Sequence, residues 1–321
     1  MRLGIGITTF PWPAEQIGPI VSRIATAADE AGVDSLWVMD HFFQIRLSGL
    51  PPESPMPEAY ATLAFLGGLT KRIRLGTLVT SVAYRHPGVL VKTVTSLDVL
   101  TGGRVIFGVG AGAPWNIAPA GPGTAFEAEG LGIPFPSLAE RFERLEELLQ
   151  IAHQMWHGDE TPYQGRHYQL VRPLNSPNSL QRPHPPILIG GSGEGKTLRL
   201  VARYADACNL FDVPGSQFRD TIRHKLDVLR GHCAQAGRDF AAIEKTVTSS
   251  FDFGEDPKAG AAAFLAHLRE LAAAGIDHAL VSPSQAWDEA TFDAVAAILP
   301  EVHAIEPDRA DGYDRAGADQ P

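Results

Sequence analysis

The feature that most constrains this 321-residue chain is a regular alternation of short apolar runs with amphipathic segments. The apolar runs have the length of buried strands, and they lie at 3–8, 34–39, 73–79, 104–110, 186–191, 206–211, 244–251 and 278–282. Segments with helical spacing of apolar residues lie between them, at about 14–32, 88–100, 137–156, 194–204, 216–236, 258–274 and 287–299.

The strands are too apolar to face water on either side, which indicates a parallel sheet buried under helices. Eight such units in about 300 residues predict an α/β fold of the (β/α)₈ TIM-barrel type, with an open doubly wound sheet as the alternative. We predict a single domain over 1–304 with insertions at about 113–136 and 157–186, the second of which has room for a hairpin. The polar, acidic segment 305–321 is predicted to be a disordered tail.

Composition narrows the class of protein. The chain is 44% hydrophobic and 20% charged, as in ordinary soluble proteins, and its formal net charge of −10 argues against nucleic acid or an anionic membrane as partner. Two cysteines make no disulfide framework and fit a reducing cytoplasm. No run reaches about 18 apolar residues, so neither a signal peptide nor a transmembrane span is expected.

In a TIM barrel the active site forms where strands run into the following helices. The second strand ends in Asp40 and His41 followed by two phenylalanines, which together offer a carboxylate, a titrating imidazole and a flat apolar surface. Acid–base chemistry beside a planar ligand uses these groups. The structural alternative is that Asp40 caps a loop, that His41 bonds to backbone, and that both rings are core.

Other sequence patterns give weaker evidence for a functional site. The stretch GVGAG at 108–112 lacks the last glycine of a dinucleotide fingerprint, and we interpret it as backbone that approaches a ligand closely. His153 and His157 have the helical spacing of metal ligands, but no third ligand accompanies them, so we predict no metal site. No Ser–His–acid set can be assembled, and Cys208 lies in an apolar strand as an inert thiol.

The stretch ILIGGSGEGKT at 187–197 fits the phosphate loop of nucleotide triphosphatases. That loop normally follows an early strand, whereas this one follows the fifth of eight, and Asp212 is a poor candidate for the magnesium-binding acid. The glycines, and a helix predicted to begin near Glu194, suit a phosphate monoester equally well.

The chain resembles the bacterial luciferase-like superfamily of flavin and deazaflavin oxidoreductases, in particular an actinobacterial group that uses coenzyme F-420. The resemblance rests on AADEAGVDSLWVMDHFFQ, KRIRLGTLVTSVAYRHPGVLVKTVTSLDVLTGGRVIFGVGAG, IPFPSLAERFERLEELLQIAHQMW and PPILIGGSGEGKTLRLVARYADACNLF. It implies a barrel with an insertion, a cofactor at the strand ends, a homodimer, and hydride transfer between the reduced deazaflavin and an unidentified small organic substrate. The alternatives are an FMN-dependent monooxygenase and a non-catalytic flavin-binding paralogue.

The resemblance also implies residue roles. Asp40 and His41 match a pair beside the deazaflavin ring, with His41 as the candidate proton donor or substrate contact. Leu78 and Val79 match a bulge, often with a cis peptide bond, that backs the ring. Asn116 matches an asparagine at the polar edge of the ring.

The triphosphatase-like stretch has a different role under this resemblance. Gly190, Gly191, Ser192 and Gly193 match the loop that binds the phosphate of the ribityl chain, and Lys196 becomes an incidental basic residue.

The sequence also departs from the family pattern. Related sugar-phosphate dehydrogenases have Trp at Ile45 and Glu at Ala113, which argues against a sugar-phosphate substrate. An inserted Ala113-Pro114 precedes Trp115-Asn116.

Overall fold

The computed structural model describes residues 1–45, 50–112, 124–212 and 218–308. Its strands are β1 (Arg2–Ile7), β2 (Ser35–Val38), β3 (Arg74–Thr77), β4 (Thr80–Ser81), β5 (Val105–Gly110), β6 (Tyr163–Gln164), β7 (Gln169–Leu170), β8 (Ile187–Gly190), β9 (Ala207–Phe211), β10 (Glu244–Phe251) and β11 (His278–Pro283).

Eight of these strands form a closed parallel barrel. Their order is β3, β2, β1, β11, β10, β9, β8, β5, and pairing of β3 with β5 closes the ring. Each of the eight lies within two residues of a run predicted from the sequence. The predicted TIM barrel is therefore confirmed, and the open doubly wound alternative is wrong.

The helices surround this barrel. They are α1 (Ala14–Ala31), α2 (Ala59–Leu69), α3 (Pro87–Leu100), α4 (Thr124–Gly130), α5 (Leu138–His157), α6 (Thr197–Tyr204), α7 (Phe218–Ala236), α8 (Pro257–Ala273) and α9 (Glu289–His303). The sequence did not predict α2, because its apolar residues lie on all sides and leave no one-sided stripe. It also did not predict α4, which lies within a segment rich in glycine and proline. Helix α6 begins at Thr197 and not near Glu194.

Most barrel strands are buried on both faces, which explains their apolar character, whereas β10 is more polar and only partly buried. A small cluster fills the barrel interior, and it consists of Trp37, Ile106, Leu188, Ala207 and Leu280. A much larger cluster fills the layer between the strands and the helices. Burial of both faces fixes the strands firmly, so that their ends can position a site.

Glycines on β5 and β8 make room for the segment that follows β3. A Cβ atom on Gly108 would lie 1.8 Å from the carbonyl oxygen of Thr77, and one on Gly110 would lie 3.0 Å from Cγ2 of Val79. A Cβ atom on Gly190 would lie 2.9 Å from Cγ1 of Val79. Gly108 and Gly110 therefore pack against the chain's own backbone and side chain, and the approach of this stretch to a ligand stays a prediction.

The insertion at 157–186 contains the expected hairpin. Strands β6 and β7 pair antiparallel, and Glu147 on α5 accepts hydrogen bonds from the backbone N–H groups of Arg166 at 2.8 Å and Tyr168 at 3.0 Å. The return of the insertion is anchored by Asp98 on α3, whose Oδ2 accepts from the hydroxyl of Ser179 at 2.7 Å. The insertion is therefore tied to α3 by a buried carboxylate and to α5 by a partly exposed one.

The start of the predicted tail is hydrogen-bonded to helix α8. The N–H of Asp308 donates to the carbonyl of Ala272 at 2.8 Å, and residues 309–321 lie outside the described part of the chain.

The single-domain boundaries at 1–304 and the cytoplasmic location stay predictions. Among the helices that the structure describes, none has the length and apolar character needed to cross a membrane.

Candidate active site

The predicted site residues follow strands that are neighbours in the barrel. Strand β2 pairs with β3, β3 with β5, and β5 with β8. Because all are parallel, their carboxyl ends meet at one face, where Asp40 and His41, Leu78 and Val79, and the loop Gly190–Gly193 follow them. Asn116, predicted to follow β5, lies outside the described residues.

His41 is held by a carboxylate from helix α4. Its Nδ1 forms a short hydrogen bond with Oε1 of Glu127, whose Oε2 accepts from the N–H of Phe42 at 2.7 Å and from the hydroxyl of Tyr84 at 2.9 Å. Glu127 is 1% exposed, whereas the His41 side chain is 19% exposed. The imidazole therefore has one buried edge and one that reaches the site.

The other ring nitrogen of His41, Nε2, has no hydrogen-bond partner within the residues that the structure describes. The structural alternative, a histidine bonded to backbone, is wrong, because the partner is a carboxylate. This arrangement can present Nε2 to a bound molecule and exchange a proton there.

Asp40 forms a buried ion pair with Arg85. Nη1 of Arg85 donates to Oδ2 of Asp40 at 2.5 Å and Nη2 donates to Oδ1 at 2.9 Å, and Nη2 also contacts Glu58. Burial opposes the charge on Arg85, but the hydrogen bonds and the negative charge of Asp40 prevail and raise the pKa of Arg85. Because Arg85 takes both carboxylate oxygens, contact of Asp40 with a cofactor stays a prediction.

The guanidinium of Arg85 also lies over two aromatic rings. Its Cζ is 4.8 Å from the ring centre of Tyr60 and 5.6 Å from that of Phe42. Burial raises the pKa of the Tyr60 hydroxyl, which bonds with Thr80 at 2.8 Å. The network therefore fixes the aromatic residue that follows His41.

The Leu78–Val79 bond is cis, as the resemblance implies. The N–H of Leu78 donates to the carbonyl of Val38 at 2.9 Å, and both side chains are half-buried against the barrel interior. Contact of Leu78 and Val79 with a planar ring stays a prediction.

The glycine loop after β8 has the form of an anion cradle. Gly191 has φ +120°, a conformation that side chains rarely adopt, and its N–H donates to the carbonyl of Asn209 at 3.0 Å. The N–H groups of Ser192 and Gly193 have no backbone acceptor among the residues that the structure describes. They therefore remain available to a phosphate, close to the start of α6.

Lys196 takes no part in this cradle in the structure. Its Nζ lies 5.3 Å from the ring centre of Phe142 on α5. Asp212, the candidate magnesium ligand of the triphosphatase interpretation, accepts hydrogen bonds from Ser249 and His267, both at 2.7 Å. Burial would raise the pKa of Asp212, but the bonds to His267 and Ser249 hold it below its ordinary value. These contacts favour the cradle interpretation.

Two other groups considered in the sequence have structural partners. Nε2 of His153 bonds with the carbonyl of Tyr204 at 3.2 Å, and Nδ1 of His157 bonds with the carbonyl of His153 at 2.7 Å. Over the described ranges, no cluster of three or more metal-ligating side chains occurs. Burial raises the pKa of the Cys208 thiol to about 12, which keeps it protonated.

A Ser–His–Glu set that the sequence did not reveal lies at the opposite end of the barrel. Oγ of Ser35 is 3.0 Å from Nε2 of His278, and Nδ1 of His278 is 2.8 Å from Oε1 of Glu244. Each residue begins its strand. Ser35 is fully buried and also accepts from the indole of Trp37, so its hydroxyl is closed to substrates. The set is structural.

A sequence model of the luciferase-like monooxygenase family matches residues 1–318. The chain belongs to this family. The predicted family is therefore confirmed on a match that spans the barrel.

Two curated relatives are both called F420-dependent glucose-6-phosphate dehydrogenase. The one from Nakamurella multipartita is 32% identical over 248 residues, which cover 76% of this chain and 66% of the relative. The one from Gordonia bronchialis is 31% identical over 253 residues, covering 78% and 69%. The chain thus spans about two thirds of the length of these relatives.

Solved structures share the fold at low identity. An F420-dependent secondary alcohol dehydrogenase in complex with an F420-acetone adduct superposes with TM-score 0.76 at 18% identity, covering 94% of this chain and 98% of the other. The monooxygenase RslO1 from Streptomyces bottropensis superposes with TM-score 0.71 at 19% identity, covering 94% and 100%. At such identities the likeness concerns the fold alone.

Proposed function

We propose that this chain is an oxidoreductase that transfers hydride between reduced deazaflavin coenzyme F-420 and a small organic substrate. The observation that carries the proposal is an arc of residues at the carboxyl ends of β2, β3, β5 and β8, which are neighbours in the barrel. The arc contains the imidazole of His41, bound by a carboxylate, and the glycine loop around Gly191. The two curated relatives named above support the choice of coenzyme.

The residues of the arc fit such a coenzyme. The N–H groups of Ser192 and Gly193, which have no backbone acceptor among the described residues, would hold its phosphate, and Leu78 and Val79 would lie under its ring. When bound, the coenzyme supplies a two-electron hydride carrier. The chain itself supplies an acid–base group, Nε2 of His41, on a ring that Glu127 holds in place.

We propose an uncharged substrate and not a sugar phosphate. Arg85, the cation beside Phe42, is already paired with Asp40 and Glu58. Lys196 lies over the ring of Phe142. A phosphate-bearing substrate would need an uncommitted cation, and of the described residues neither Arg85 nor Lys196 is one.

We also propose a homodimer that covers α2 and α3. Helix α2 is apolar on all sides, a composition typical of buried helices. Yet Phe65 on α2 is 48% exposed, and Leu100 on α3 is 79% exposed. A second copy of this chain would bury both. Light scattering should give a dimer, Leu100→Glu should weaken it, and the same change at exposed Leu138 on α5 should not.

The function is tested by titrating the purified apo-protein with coenzyme F-420 and with FMN. Consumption of the reduced deazaflavin is then followed with ketones, and reduction of the oxidised deazaflavin is followed with alcohols and with glucose 6-phosphate. We expect binding of the deazaflavin and turnover with an uncharged substrate. Binding of FMN alone with oxygen consumption would favour the monooxygenase alternative, binding without turnover the non-catalytic paralogue, and magnesium-dependent ATP hydrolysis the triphosphatase.

A further inference from the structure

Glu127 is an acidic residue of the candidate site that comes from a helix and not from the end of a barrel strand. It lies on α4, which belongs to the insertion between β5 and α5, and its carboxylate is almost fully buried against the candidate site. Both oxygens are used: Oε1 by the imidazole of His41, and Oε2 by the N–H of Phe42 and the hydroxyl of Tyr84. A buried carboxylate is costly unless donors satisfy it, and these donors do so.

The hydrogen-bond pattern favours one position for the imidazole proton. The N–H of Phe42 and the hydroxyl of Tyr84 both donate to Oε2 of Glu127, and donors that converge on one oxygen favour an ionised carboxylate. An ionised carboxylate can only accept, so Nδ1 of His41 must carry the hydrogen that joins it to Oε1. The neutral ring then has its lone pair on Nε2, the nitrogen with no partner among the described residues.

The same carboxylate also fixes the orientation of the ring. It bonds to the side chain of His41 and to the backbone of Phe42, so two consecutive residues are held at two points. Tyr84 restrains the carboxylate from β4's side of the site, and its ring centre lies 4.7 Å from that of Phe42. Neither rotation of the imidazole nor exchange of its nitrogens is compatible with these contacts.

We propose that Glu127 is a positioning residue for the proposed reaction: it holds His41 in the Nδ1-protonated tautomer and thereby presents Nε2 to the substrate. A carboxylate partner that fixes the tautomer of a working histidine is a common device in proteins. The reference to substrate rests on the proposed function. The assignment of the tautomer does not, since it rests on the hydrogen bonds that Glu127 accepts.

The chain offers a matched control on the same helix. Glu129 lies two residues further along α4 and is exposed, so Glu129→Gln changes the charge of α4 without touching His41. Tyr84→Phe removes one donor to Glu127 and leaves its bond with His41 in place. Glu127→Asp keeps the charge on a shorter side chain.

The first test measures the ring directly and needs no substrate. Histidines are labelled with ¹⁵N, and the NMR signals of His41 are assigned by comparison with His41→Gln. Spectra are recorded at increasing pH until the ring of His41 is neutral. We expect the Nδ1-protonated form in the wild type and in Glu129→Gln, and its loss in Glu127→Ala. A wild-type neutral ring protonated on Nε2 would overturn the proposal, and so would an unchanged ring in a folded Glu127→Ala.

The second test measures kinetics. We expect Glu127→Ala to lower kcat by about 10- to 100-fold, the scale for losing the carboxylate partner of a working histidine, with KM and the coenzyme Kd nearly unchanged. Glu127→Asp should recover part of the loss. A rise in KM or Kd with kcat unchanged would overturn the positioning role. If the ring is Nδ1-protonated but no variant turns over any substrate, the proposed function fails and the tautomer assignment stands.

Discussion

Asp40 and Arg85 form a two-pronged ion pair at the carboxyl ends of β2 and β4, with nitrogen–oxygen distances of 2.5 Å and 2.9 Å. The Asp40 side chain is fully buried, and the Arg85 side chain is mostly so. The pair joins the residue before His41 to the residue after Tyr84. It therefore ties together the two segments that contact Glu127.

We expect Arg85→Met to destabilise the protein by about 3–5 kcal/mol, because it leaves the buried Asp40 carboxylate without its partner. The double variant Asp40→Asn/Arg85→Met should lose less, since it removes the uncompensated charge as well. Urea unfolding of the purified proteins measures both. Equal stability of Arg85→Met and wild type would show that the pair is dispensable.

We expect His41→Ala to reduce turnover by about 10²- to 10⁴-fold, the usual range for acid–base assistance. The coenzyme Kd should change little, because the phosphate cradle lies on β8 and not on β2. Steady-state kinetics and a binding titration test this on the same preparation. His224→Ala, at an exposed histidine on α7, serves as the control and should keep full turnover.

The cradle is tested by three single variants. Gly191→Val should weaken coenzyme binding most, since valine is strained at φ +120°. Lys196→Ala should cost at most about 1–3 kcal/mol, the range for one charge-assisted hydrogen bond. Gly195→Ala meets no atom within 4 Å and should bind normally. Loss of all phosphate binding in Lys196→Ala would favour the triphosphatase interpretation.

The close packing of β5 against the segment after β3 is tested by Gly108→Ala. Its Cβ would lie 1.8 Å from the carbonyl oxygen of Thr77, so we expect a loss of stability at or above the usual 1–3 kcal/mol for overpacking. Gly18→Ala in α1 is the control, because nothing lies within 4 Å of its Cβ and alanine favours the helix by about 0.5–1 kcal/mol. Thermal unfolding that ranks the two variants in the opposite order would contradict this account.

The sequence predicts the barrel because its signal is local. Most barrel strands are short runs that are apolar on both faces, so their positions can be read without knowing their neighbours. Helix α2 lacks such a signal, since an apolar residue on every side marks no face. Helix α4 was missed because its seven residues lie in a glycine- and proline-rich segment.

The site is predictable only in part for the same reason. Asp40 and His41 follow a strand end directly and carry titrating groups, and the glycine loop follows another strand end and matches a phosphate-loop pattern, so these local features identified them as candidates. Glu127 is 86 residues from His41, and Arg85 is 45 residues from Asp40. Such long-range pairs depend on how the insertion and the segment after β4 pack against the end of β2, and no local sequence pattern encodes this packing.

The buried Asp29 should give the protein a measurable acid sensitivity. It accepts backbone N–H bonds from Lys71, Arg72 and Ile73 at 2.7–2.9 Å. Burial would raise the pKa of Asp29, but these bonds lower it below its ordinary value. A lowered pKa stabilises the fold above the unfolded value of about 3.9, and this contribution is lost as pH falls through the folded pKa.

Asp29→Asn should therefore be less stable than the wild type at neutral pH. The difference between the two proteins should shrink below about pH 4, where the wild-type carboxyl takes up its proton. Urea unfolding at several pH values measures the difference. A gap that stays constant down to the acid limit would mean that the charge of Asp29 adds nothing.

The strand order divides the barrel face into two halves. The predicted cofactor residues follow β2, β3, β5 and β8, which are consecutive in the ring, while β9, β10, β11 and β1 form the other half. Mutational libraries confined to the loops after that second half should therefore alter which molecules are processed without loss of coenzyme affinity. An engineer seeking new reactivity in this scaffold has a ready partition: one semicircle to preserve and one to diversify.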